Sequence, residues 1–326
     1  MPSRIRTVIA ALAVILAVLG ESPAQAGPLK KASLIPQWEP QAQFAGYYVA
    51  KAKGFYEKRG VDMDILRGGP SSPPSKLLAE GKALFGTMFL ATAVMERSKD
   101  LALVNLAQVM RGSTFLLVAR KSSAINRPGD FNGKRVSLWG KEFSLQAEEF
   151  FKNAGVQVER LPQGFTVDLF LRGGVDVVSA MYYNEYHVLL NSGLDPEDLT
   201  LFPLRDYGLD YPEDGIYCLN STFKADPELC SAVADASLEG WRYAFEHPEE
   251  ALDIVMGHVE AARLPTNRMH QKWMLERLRE AMLPTAGRQG PGPLLAGEFE
   301  AVARTLAKAG LLQKPVSFEE FHVPAR

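Results

Sequence analysis

Short apolar segments alternate with helix-like segments along most of the chain that follows Gly27. In the first half, strand-like runs occupy residues 30–38, 61–69, 83–89 and 101–109, and helix-like runs occupy residues 41–56, 75–80 and 91–98. Such alternation is typical of mostly parallel sheets flanked by helices. The same order returns between residues 131 and 192, so the sequence predicts two α/β units.

Two apolar runs at residues 114–120 and 215–220 lie at the junctions of these units. We interpret them as strands that cross between two lobes and form a two-strand hinge. The first lobe is then discontinuous, with residues 27–117 and 216–326, and the second lobe comprises residues 118–215. A ligand cleft is expected between the lobes, where binding sites of α/β proteins commonly lie.

The first 26 residues have the organisation of a cleaved secretory signal peptide. Arg4 and Arg6 precede an apolar run at residues 8–19, and the small residues Ala24 and Ala26 mark a cleavage site. An uncleaved anchor helix is the alternative, but the run is shorter than the roughly 20 residues that span a bilayer. We therefore expect cleavage after Ala26 and export of the mature chain to the periplasm.

Composition argues against several classes of function. The formal net charge is −2 and the Lys and Arg residues form no block, so we expect no nucleic-acid partner. No group of His, Cys, Asp or Glu has the spacing of a zinc or EF-hand site, and we expect neither a metal nor a cofactor. Cys218 and Cys230 leave two interpretations open, namely one disulfide or two buried thiols.

Five candidate ligand-binding residues follow the first two strands: Trp38, Gln41, Phe44, Gly69 and Ser71. Trp38 has a proline two residues away on either side, which favours a loop position from which its ring stacks on a planar ligand. Gln41 and Phe44 are three residues apart, so they lie near one face of the following helix. Backbone N–H groups at Gly69 and Ser71 can meet a ligand oxygen. Core packing of the rings and a plain turn at Gly69 are the alternatives.

Six more candidates lie at the first crossing and on the second unit: Ser113, Trp139, Tyr182, Asn184, Glu185 and Tyr207. Trp139 repeats the strand–loop–helix position of Trp38, and we expect the two rings to enclose a planar ligand from opposite sides. Asn184 offers donors and an acceptor to a nitrogen-rich ring, and Glu185 accepts from an exocyclic amine. Core packing of Trp139 and a helix cap formed by Asn184 and Glu185 are the alternatives.

Several motifs resemble, in the same order along the chain, one group of bacterial proteins. QWEPQAQFAGYY at residues 37–48 and YYNE at residues 182–185 are the most specific, and DFNGKRVSLWG at residues 130–140 supports them. They resemble the substrate-binding proteins related to thiamine-pyrimidine synthase, which serve ABC importers for thiamine-precursor pyrimidines and related heterocycles. The resemblance implies the two-lobed type II periplasmic-binding-protein fold, a monomer, no catalysis, and an ABC-transporter permease as partner.

The same superfamily includes a eukaryotic enzyme that makes the thiamine pyrimidine from a pyridoxal phosphate ring held on its own lysine and a histidine. At the corresponding positions this chain has Met88 and Thr92, so the resemblance implies a carrier without the amine and imidazole of that chemistry. We expect a planar nitrogen heterocycle, foremost a thiamine-precursor pyrimidine, as the small-molecule ligand. A sulfonate, an aromatic acid or a riboflavin-type ligand is the alternative, and Arg111 is the candidate anion-binding group for a sulfonate.

Overall fold

The computed structural model describes residues 28–284 and 289–323. The predicted signal peptide lies outside these residues. Within them, no helix is both long and apolar enough to cross a membrane. The described chain forms two five-stranded sheets flanked by helices.

Ten strands are described: β1 (Lys30–Ile35), β2 (Val61–Ile65), β3 (Phe85–Phe89), β4 (Leu103–Gln108), β5 (Phe115–Arg120), β6 (Arg135–Leu138), β7 (Glu159–Pro162), β8 (Val177–Met181), β9 (Leu199–Pro203) and β10 (Asp214–Leu219). The first sheet has the order β2–β1–β3–β10–β4, and the second has the order β7–β6–β8–β5–β9. Strand β10 is antiparallel to both of its neighbours, and so is β5. Each sheet therefore has four strands in one direction and one in the other.

The predicted two-lobed α/β fold is confirmed, with mixed sheets. The exceptional strand in each sheet is the one that enters from the opposite lobe. Strand β5 follows β4 after residues 109–114, and β10 follows β9 after residues 204–213. Strand β5 belongs wholly to the second sheet and β10 wholly to the first. The lobe boundaries after residues 117 and 215 stay predictions.

Twelve α-helices are described: α1 (Ala45–Ala52), α2 (Pro74–Ala79), α3 (Leu90–Ser98), α4 (Leu145–Ala154), α5 (Asp168–Leu171), α6 (Glu185–Asn191), α7 (Asn220–Ala225), α8 (Pro227–Glu246), α9 (Pro248–Ala261), α10 (Arg268–Met282), α11 (Ala296–Lys308) and α12 (Phe318–Phe321). The helix predicted over residues 41–56 is shorter, because a 3-10 turn at Ala42–Phe44 precedes α1 and Gly54 follows it with a left-handed φ of 68°. Helix α8 begins as the sequence predicts, since the Asp226 carboxylate accepts from Leu229 N at 3.0 Å.

The core of the first lobe forms where α1 packs against α8. Strand β10 and α8 also carry the two cysteines. Cys218 and Cys230 are both buried, their sulfur atoms lie 3.9 Å apart, and no disulfide joins them. Of the two interpretations that the sequence leaves open, the structure has the buried thiols.

Candidate functional site

A cavity of about 390 Å³ lies between the two lobes. The first lobe lines it mainly with Gln37, Trp38, Gln41, Gln43 and Phe89. The second lobe lines it mainly with Trp139, Phe143, Gln163, Phe165, Tyr183, Asn184 and Glu185. Two aromatic contacts join the lobes here, Trp38 with Phe165 at 5.4 Å between ring centres and Phe89 with Phe143 at 5.5 Å. The cavity is therefore enclosed by aromatic rings from both sides.

The loop that carries Trp38 depends on two glycines that follow β2. A Cβ atom on Gly68 would lie 2.1 Å from the Pro36 carbonyl oxygen, so no side chain fits there. Gly69 has a φ of 139°, and an added Cβ would lie 2.8 Å from a Glu39 carboxylate oxygen. The glycine pair lets the two loops pack directly against each other, and this packing positions Trp38 at the cavity.

Amide side chains of the first lobe form a hydrogen-bond network behind Trp38. Gln41 Nε2 donates to Gln43 Oε1 at 2.6 Å, and Gln43 Nε2 donates to Asp214 Oδ2 at 3.1 Å. The Gln37 amide also donates to the Asp214 carboxylate. Burial raises the pKa of Asp214 to about 7, and the bonds from Gln43 and Gln37 oppose that rise. The buried carboxyl thus orients the glutamines of this wall.

Glu185 and Tyr183 form the polar part of the second-lobe wall. Glu185 Oε2 accepts from Met181 N at 2.9 Å, and Glu185 Oε1 accepts from Asn184 Nδ2 at 2.8 Å. Burial raises the pKa of the Glu185 carboxyl to about 7, although these bonds oppose the rise. Tyr183 is 2% exposed, and burial raises the pKa of its hydroxyl well above the usual value, with the charges of Glu213, Asp214 and Glu185 adding to the rise. Both groups keep hydrogen-bonding capacity for a ligand in the cavity.

Four polar residues join the two crossings between the lobes, and we call Ser113, Thr114, Glu213 and Asp214 the hinge cluster. The Glu213 carboxylate accepts from Thr114 N at 2.6 Å and from the Thr114 hydroxyl at 2.9 Å. The Ser113 hydroxyl donates to the same carboxylate at 3.3 Å. Burial raises the pKa of Glu213 to about 8, and the neighbouring charge of Asp214 adds to the rise. Glu213 is thus hydrogen-bonded to the crossing that leads into β5. Asp214 is hydrogen-bonded to the side chains of Gln37 and Gln43.

A separate contact joins the lobes at α6 and α10, and we call Asn184, His187 and His270 the clasp. The distance from His270 Nε2 to Asn184 Oδ1 is 2.9 Å, and the two histidine Nδ1 atoms are also 2.9 Å apart. Because Asn184 Nδ2 donates to the Glu185 carboxylate, its oxygen faces His270, which therefore carries its proton on Nε2. His270 Nδ1 then accepts from His187 Nδ1–H. Burial lowers the pKa of His270 to about 4, and His187 adds to this effect.

An outer groove of about 580 Å³ adjoins the cavity and shares Trp38, Phe165 and Asn184 with it. The clasp residue His270 also lines this groove. The contact between Trp38 and Phe165 therefore separates two compartments of one cleft. In the described part of the chain, no group of three or more metal-ligating side chains comes together in either compartment or elsewhere.

The structure brings five of the sequence-predicted residues together at the cavity: Trp38, Gln41, Trp139, Asn184 and Glu185. Trp139 also contacts Phe115, with ring centres 5.7 Å apart, so it both packs on β5 and lines the cavity. Asn184 uses its amide oxygen toward His270 and one amide hydrogen toward Glu185. The Asn184 amide therefore connects the cavity wall to the clasp, and both of these atoms bond to protein side chains and not to a ligand.

Three predicted residues of the first lobe lie away from the cavity. Phe44 is 0% exposed, because the turn before α1 directs its ring into the core. Gly69 supports the Trp38 loop from behind, as its close approach to Glu39 shows. Ser71 is exposed on the turn that follows. Ligand contact by Phe44, Gly69 and Ser71 was predicted from their position after strands, and their actual surroundings explain why they do not line the cavity.

Three further predicted residues also lie elsewhere. Ser113 is buried in the hinge cluster, where its backbone N–H donates to Asp210 at 2.7 Å. Tyr182 stacks on Tyr186 with ring centres 5.3 Å apart, and its carbonyl accepts from the Trp273 indole N–H of α10 at 3.3 Å. Tyr207 is 40% exposed and packs against Phe150 on the second lobe. None of these three side chains lines the cavity.

Several lining residues are absent from the sequence prediction, chiefly Gln37, Gln43, Phe165 and Tyr183. The two glutamines lie in the motif that contains Trp38, four residues before and two residues after Gln41, and the three amides mark a polar stretch in an otherwise apolar segment. Tyr183 follows Tyr182 directly, so the choice between them depends on the direction of the chain after β8. Phe165 lies in a loop after β7, and no local pattern marks it.

The paired sheets, the two crossings and the cleft define a class of two-lobed binding proteins. Among solved structures, the periplasmic aliphatic sulphonate binding protein SsuA from Escherichia coli has a TM-score of 0.69 at 15% identity. The alignment covers 89% of this chain and 91% of that chain. The fold is therefore that of the periplasmic binding proteins.

The family is identified by sequence. The model of a family described as NMT1/THI5 like matches residues 41–251, and the chain belongs to this family. The formylaminopyrimidine-binding protein of Halalkalibacterium halodurans is 26% identical over 300 residues, which cover 90% of this chain and 89% of the relative. A 4-amino-5-hydroxymethyl-2-methylpyrimidine phosphate synthase of Legionella pneumophila is 24% identical over 255 residues, covering 72% and 76%. The family resemblance is thus confirmed, and its members are named as binders and as synthases.

Proposed function

We propose that this protein is the solute-binding component of an ABC importer and that its cavity binds a thiamine-precursor aminopyrimidine. The observation that carries the proposal is one cavity lined by Trp38 and Trp139 from different lobes, with Glu185 and the Tyr183 hydroxyl at its wall. A planar ring stacked on an aromatic side chain gains about 0.5–1.5 kcal/mol beyond area burial. The carboxylate accepts from an exocyclic amine, and the hydroxyl donates to a ring nitrogen.

The comparisons support the same ligand class. The similarity to a protein named for binding a formylaminopyrimidine favours a pyrimidine over other planar rings. The periplasmic-binding-protein fold supports a periplasmic location, reached after cleavage of the signal peptide, and delivery of the ligand to a membrane permease. The protein acts as a monomer in this proposal, and the lobes close on the ligand before the complex docks on the permease.

The sulfonate alternative loses its best candidate residue. Arg111 Nη1 donates to both Glu298 oxygens, at 2.8 and 2.9 Å, and Arg111 Nε donates to the Gly290 carbonyl at 2.7 Å. The guanidinium thus joins the segment before β5 to α11 and to the chain that precedes α11, and Arg111 does not line the cavity. A sulfonate in the cavity would lack this cation.

The arrangement favours a carrier over a synthase. Met88 is 1% exposed in β3, and Thr92 lies on α3. Neither position lines the cavity, and the lining residues described there include no lysine. Where the family's synthase carries its lysine and histidine, this chain has Met88 and Thr92, and neither side chain supplies the amine that would hold a pyridoxal ring.

A ligand panel measured by thermal shift and calorimetry tests the proposal. Aminopyrimidines, riboflavin, an alkanesulfonate and benzoate are compared, together with pyridoxal phosphate, whose absorbance reports a Schiff base. An aminopyrimidine at a hundredfold excess over its Kd is expected to stabilise the protein by about 2.7 kcal/mol. Trp38→Ala should weaken that binding, whereas Met269→Ala, on an exposed position of α10, should not. Stabilisation by the sulfonate alone would contradict the proposed ligand.

A further inference from the structure

We propose that the ligand occupies both compartments of the cleft, as an aminopyrimidine whose substituent ends in an uncharged, apolar group that the outer groove binds. This inference rests on the proposed function, because it takes the inner cavity to hold the pyrimidine ring. It depends on three observations: the compartments adjoin, apolar side chains of both lobes are exposed in the outer groove, and polar side chains of the groove have partners in the protein.

The two compartments form one cleft. Five residues line both of them: Trp38, Gln41, Pro70, Phe165 and Asn184. Their volumes of about 390 and 580 Å³ each lie within the roughly 300–1,000 Å³ of small-molecule sites. The contact between the rings of Trp38 and Phe165, with centres 5.4 Å apart, lies at the boundary. A substituent on a ring in the inner cavity therefore enters the groove by passing these two rings.

Apolar side chains of both lobes are exposed in the outer groove. On the second lobe, Phe165 is 69% exposed although it contacts Trp38, and Val188 of α6 is 37% exposed. On the first lobe, Pro70 and Pro265 are exposed in the same groove. Apolar groups that face one another across a cleft indicate a binding surface, because a ligand between them removes both sides from water.

Polar side chains of the first-lobe side of the groove are hydrogen-bonded within the protein. The Gln271 amide accepts from Ala42 N at 2.7 Å and donates to the Thr266 hydroxyl at 3.0 Å. Asn267 Oδ1 accepts from His270 N at 2.9 Å and caps the N-terminus of α10. These groups therefore shape the groove and hold the start of α10 in place.

Two further polar residues of the groove also have protein partners. The Ser192 hydroxyl donates to the Val188 carbonyl at 2.7 Å, and the Glu39 carboxylate accepts from Arg67 Nε at 2.8 Å. A polar or charged group that enters the groove would lose water and would have to compete for these partners. An apolar group gains from burial against the exposed apolar side chains, so the groove favours an apolar substituent.

Calorimetry with three derivatives of one ring tests the inference. The probes are 4-amino-5-hydroxymethyl-2-methylpyrimidine, its benzyl ether and its triethylene glycol ether, which carries a neutral polar chain. We expect the benzyl ether to bind about tenfold more tightly than the alcohol, because the groove buries its phenyl ring. The glycol ether should gain less than about threefold. An equal gain by both ethers, or no gain by the benzyl ether, would overturn the inference.

Aspartate substitutions in the groove test where the phenyl group binds. Val188 lines the outer groove and not the inner cavity. Val188→Asp should therefore reduce the ratio of the two Kd values, alcohol over benzyl ether, from about ten to about two or less. Leu169→Asp is the matched control, since Leu169 is 39% exposed on α5 of the second lobe and lines neither compartment. The control should leave the ratio unchanged.

Pro265→Asp makes the same change on the first-lobe side of the groove. It should lower the ratio as well, and it provides the test if Val188→Asp does not fold. A ratio that stays near ten in the folded groove variants would overturn the inference, because the phenyl group would then bind elsewhere.

The inference and the proposed function fail in different ways. If the alcohol binds and the benzyl ether gains nothing, the pyrimidine proposal stands and the inference is overturned. If no pyrimidine probe binds, the proposed function fails and the inference fails with it.

Discussion

The hinge cluster and the clasp both join the lobes, yet burial shifts the pKa values of their titratable groups in opposite directions. In the hinge cluster, burial raises the pKa of Glu213 to about 8 and that of Asp214 to about 7, so these carboxyls keep protons near neutral pH. In the clasp, burial lowers the pKa of His270 to about 4, so this imidazole stays neutral in mild acid. The same desolvation penalty favours the uncharged form of both an acid and a base.

The two contacts therefore differ in what they control. The hinge cluster lies where the chain itself crosses, and its buried bonds join the two crossing segments. The clasp joins α6 and α10, which belong to different lobes and meet only when the lobes face each other. We expect changes in the hinge cluster to alter stability and changes in the clasp to alter ligand retention.

Glu213→Ala should have the largest effect. It leaves the Thr114 N–H and two hydroxyls of the hinge cluster without their buried acceptor, and we expect a loss of about 3 kcal/mol in the free energy of unfolding. Glu213→Gln retains an acceptor oxygen and should lose less. Urea denaturation measures both. A loss below about 1 kcal/mol for the alanine variant would show that the crossings do not depend on this carboxyl.

Asp214→Asn should change the pH dependence of stability. The folded pKa of about 7 exceeds the ordinary value of 3.8, so the folded protein binds more protons between these values and loses stability as pH rises through them. One such group contributes a slope of at most about 1.4 kcal/mol per pH unit. The variant should flatten the slope between pH 5 and 7 relative to wild type, whereas Asp62→Asn, exposed on β2, should leave it unchanged.

His270 variants test the clasp. His270→Ala removes two hydrogen bonds between the lobes and should weaken ligand affinity by about fivefold, the equivalent of about 1 kcal/mol. His270→Gln can donate to Asn184 and accept from His187, so it should retain most of the affinity. Equal losses in both variants would mean that the imidazole acts by shape instead of by these bonds.

The pH response of the clasp has the opposite sign to that of the hinge cluster. Because the pKa of His270 falls from 6.5 to about 4 in the clasp, its contribution is complete above pH 6.5 and declines as pH falls toward 4. A proton on Nδ1 removes the lone pair that accepts from His187. Ligand affinity of wild type should therefore fall more steeply between pH 6.5 and 4.5 than that of His270→Gln, measured by calorimetry.

Tyr207→Ala should have the smallest effect on binding. The residue packs on Phe150 of the second lobe and belongs to neither the cavity, the hinge cluster nor the clasp. Ligand affinity should stay within about twofold of wild type, a difference well below 1 kcal/mol. A larger loss would mean that the second lobe transmits changes from this surface to the cavity.

The sequence predicts the fold well because strand and helix periodicities are local. Its motifs also single out Trp38, Trp139 and Glu185, which line the cavity, and ligand contact by these residues stays a prediction. The predicted residues that lie away from the cavity have one physical cause in common: sequence position after a strand does not give the direction of a side chain. Tyr182 and Tyr183 differ by one residue and face different surroundings, with α10 on one side and the cavity on the other.

The clasp and the hinge cluster were beyond the reach of sequence patterns for another reason. His187 and His270 are far apart in the chain and meet only through the packing of α6 on α10. Glu213 and Asp214 appear in the sequence as an ordinary acidic pair, and only the crossing of two segments buries them. Both sites form by packing between segments that are distant in the sequence, and local hydrophobic periodicity does not predict such contacts.

A crystal structure of the protein grown with 4-amino-5-hydroxymethyl-2-methylpyrimidine tests the proposed binding site directly. We predict that the ring lies between Trp38 and Trp139, with its amine near the Glu185 carboxylate and a hydrogen bond to the Tyr183 hydroxyl. A pyrimidine bound outside this cavity, or a saturated crystal with the cavity free of ligand, would contradict it.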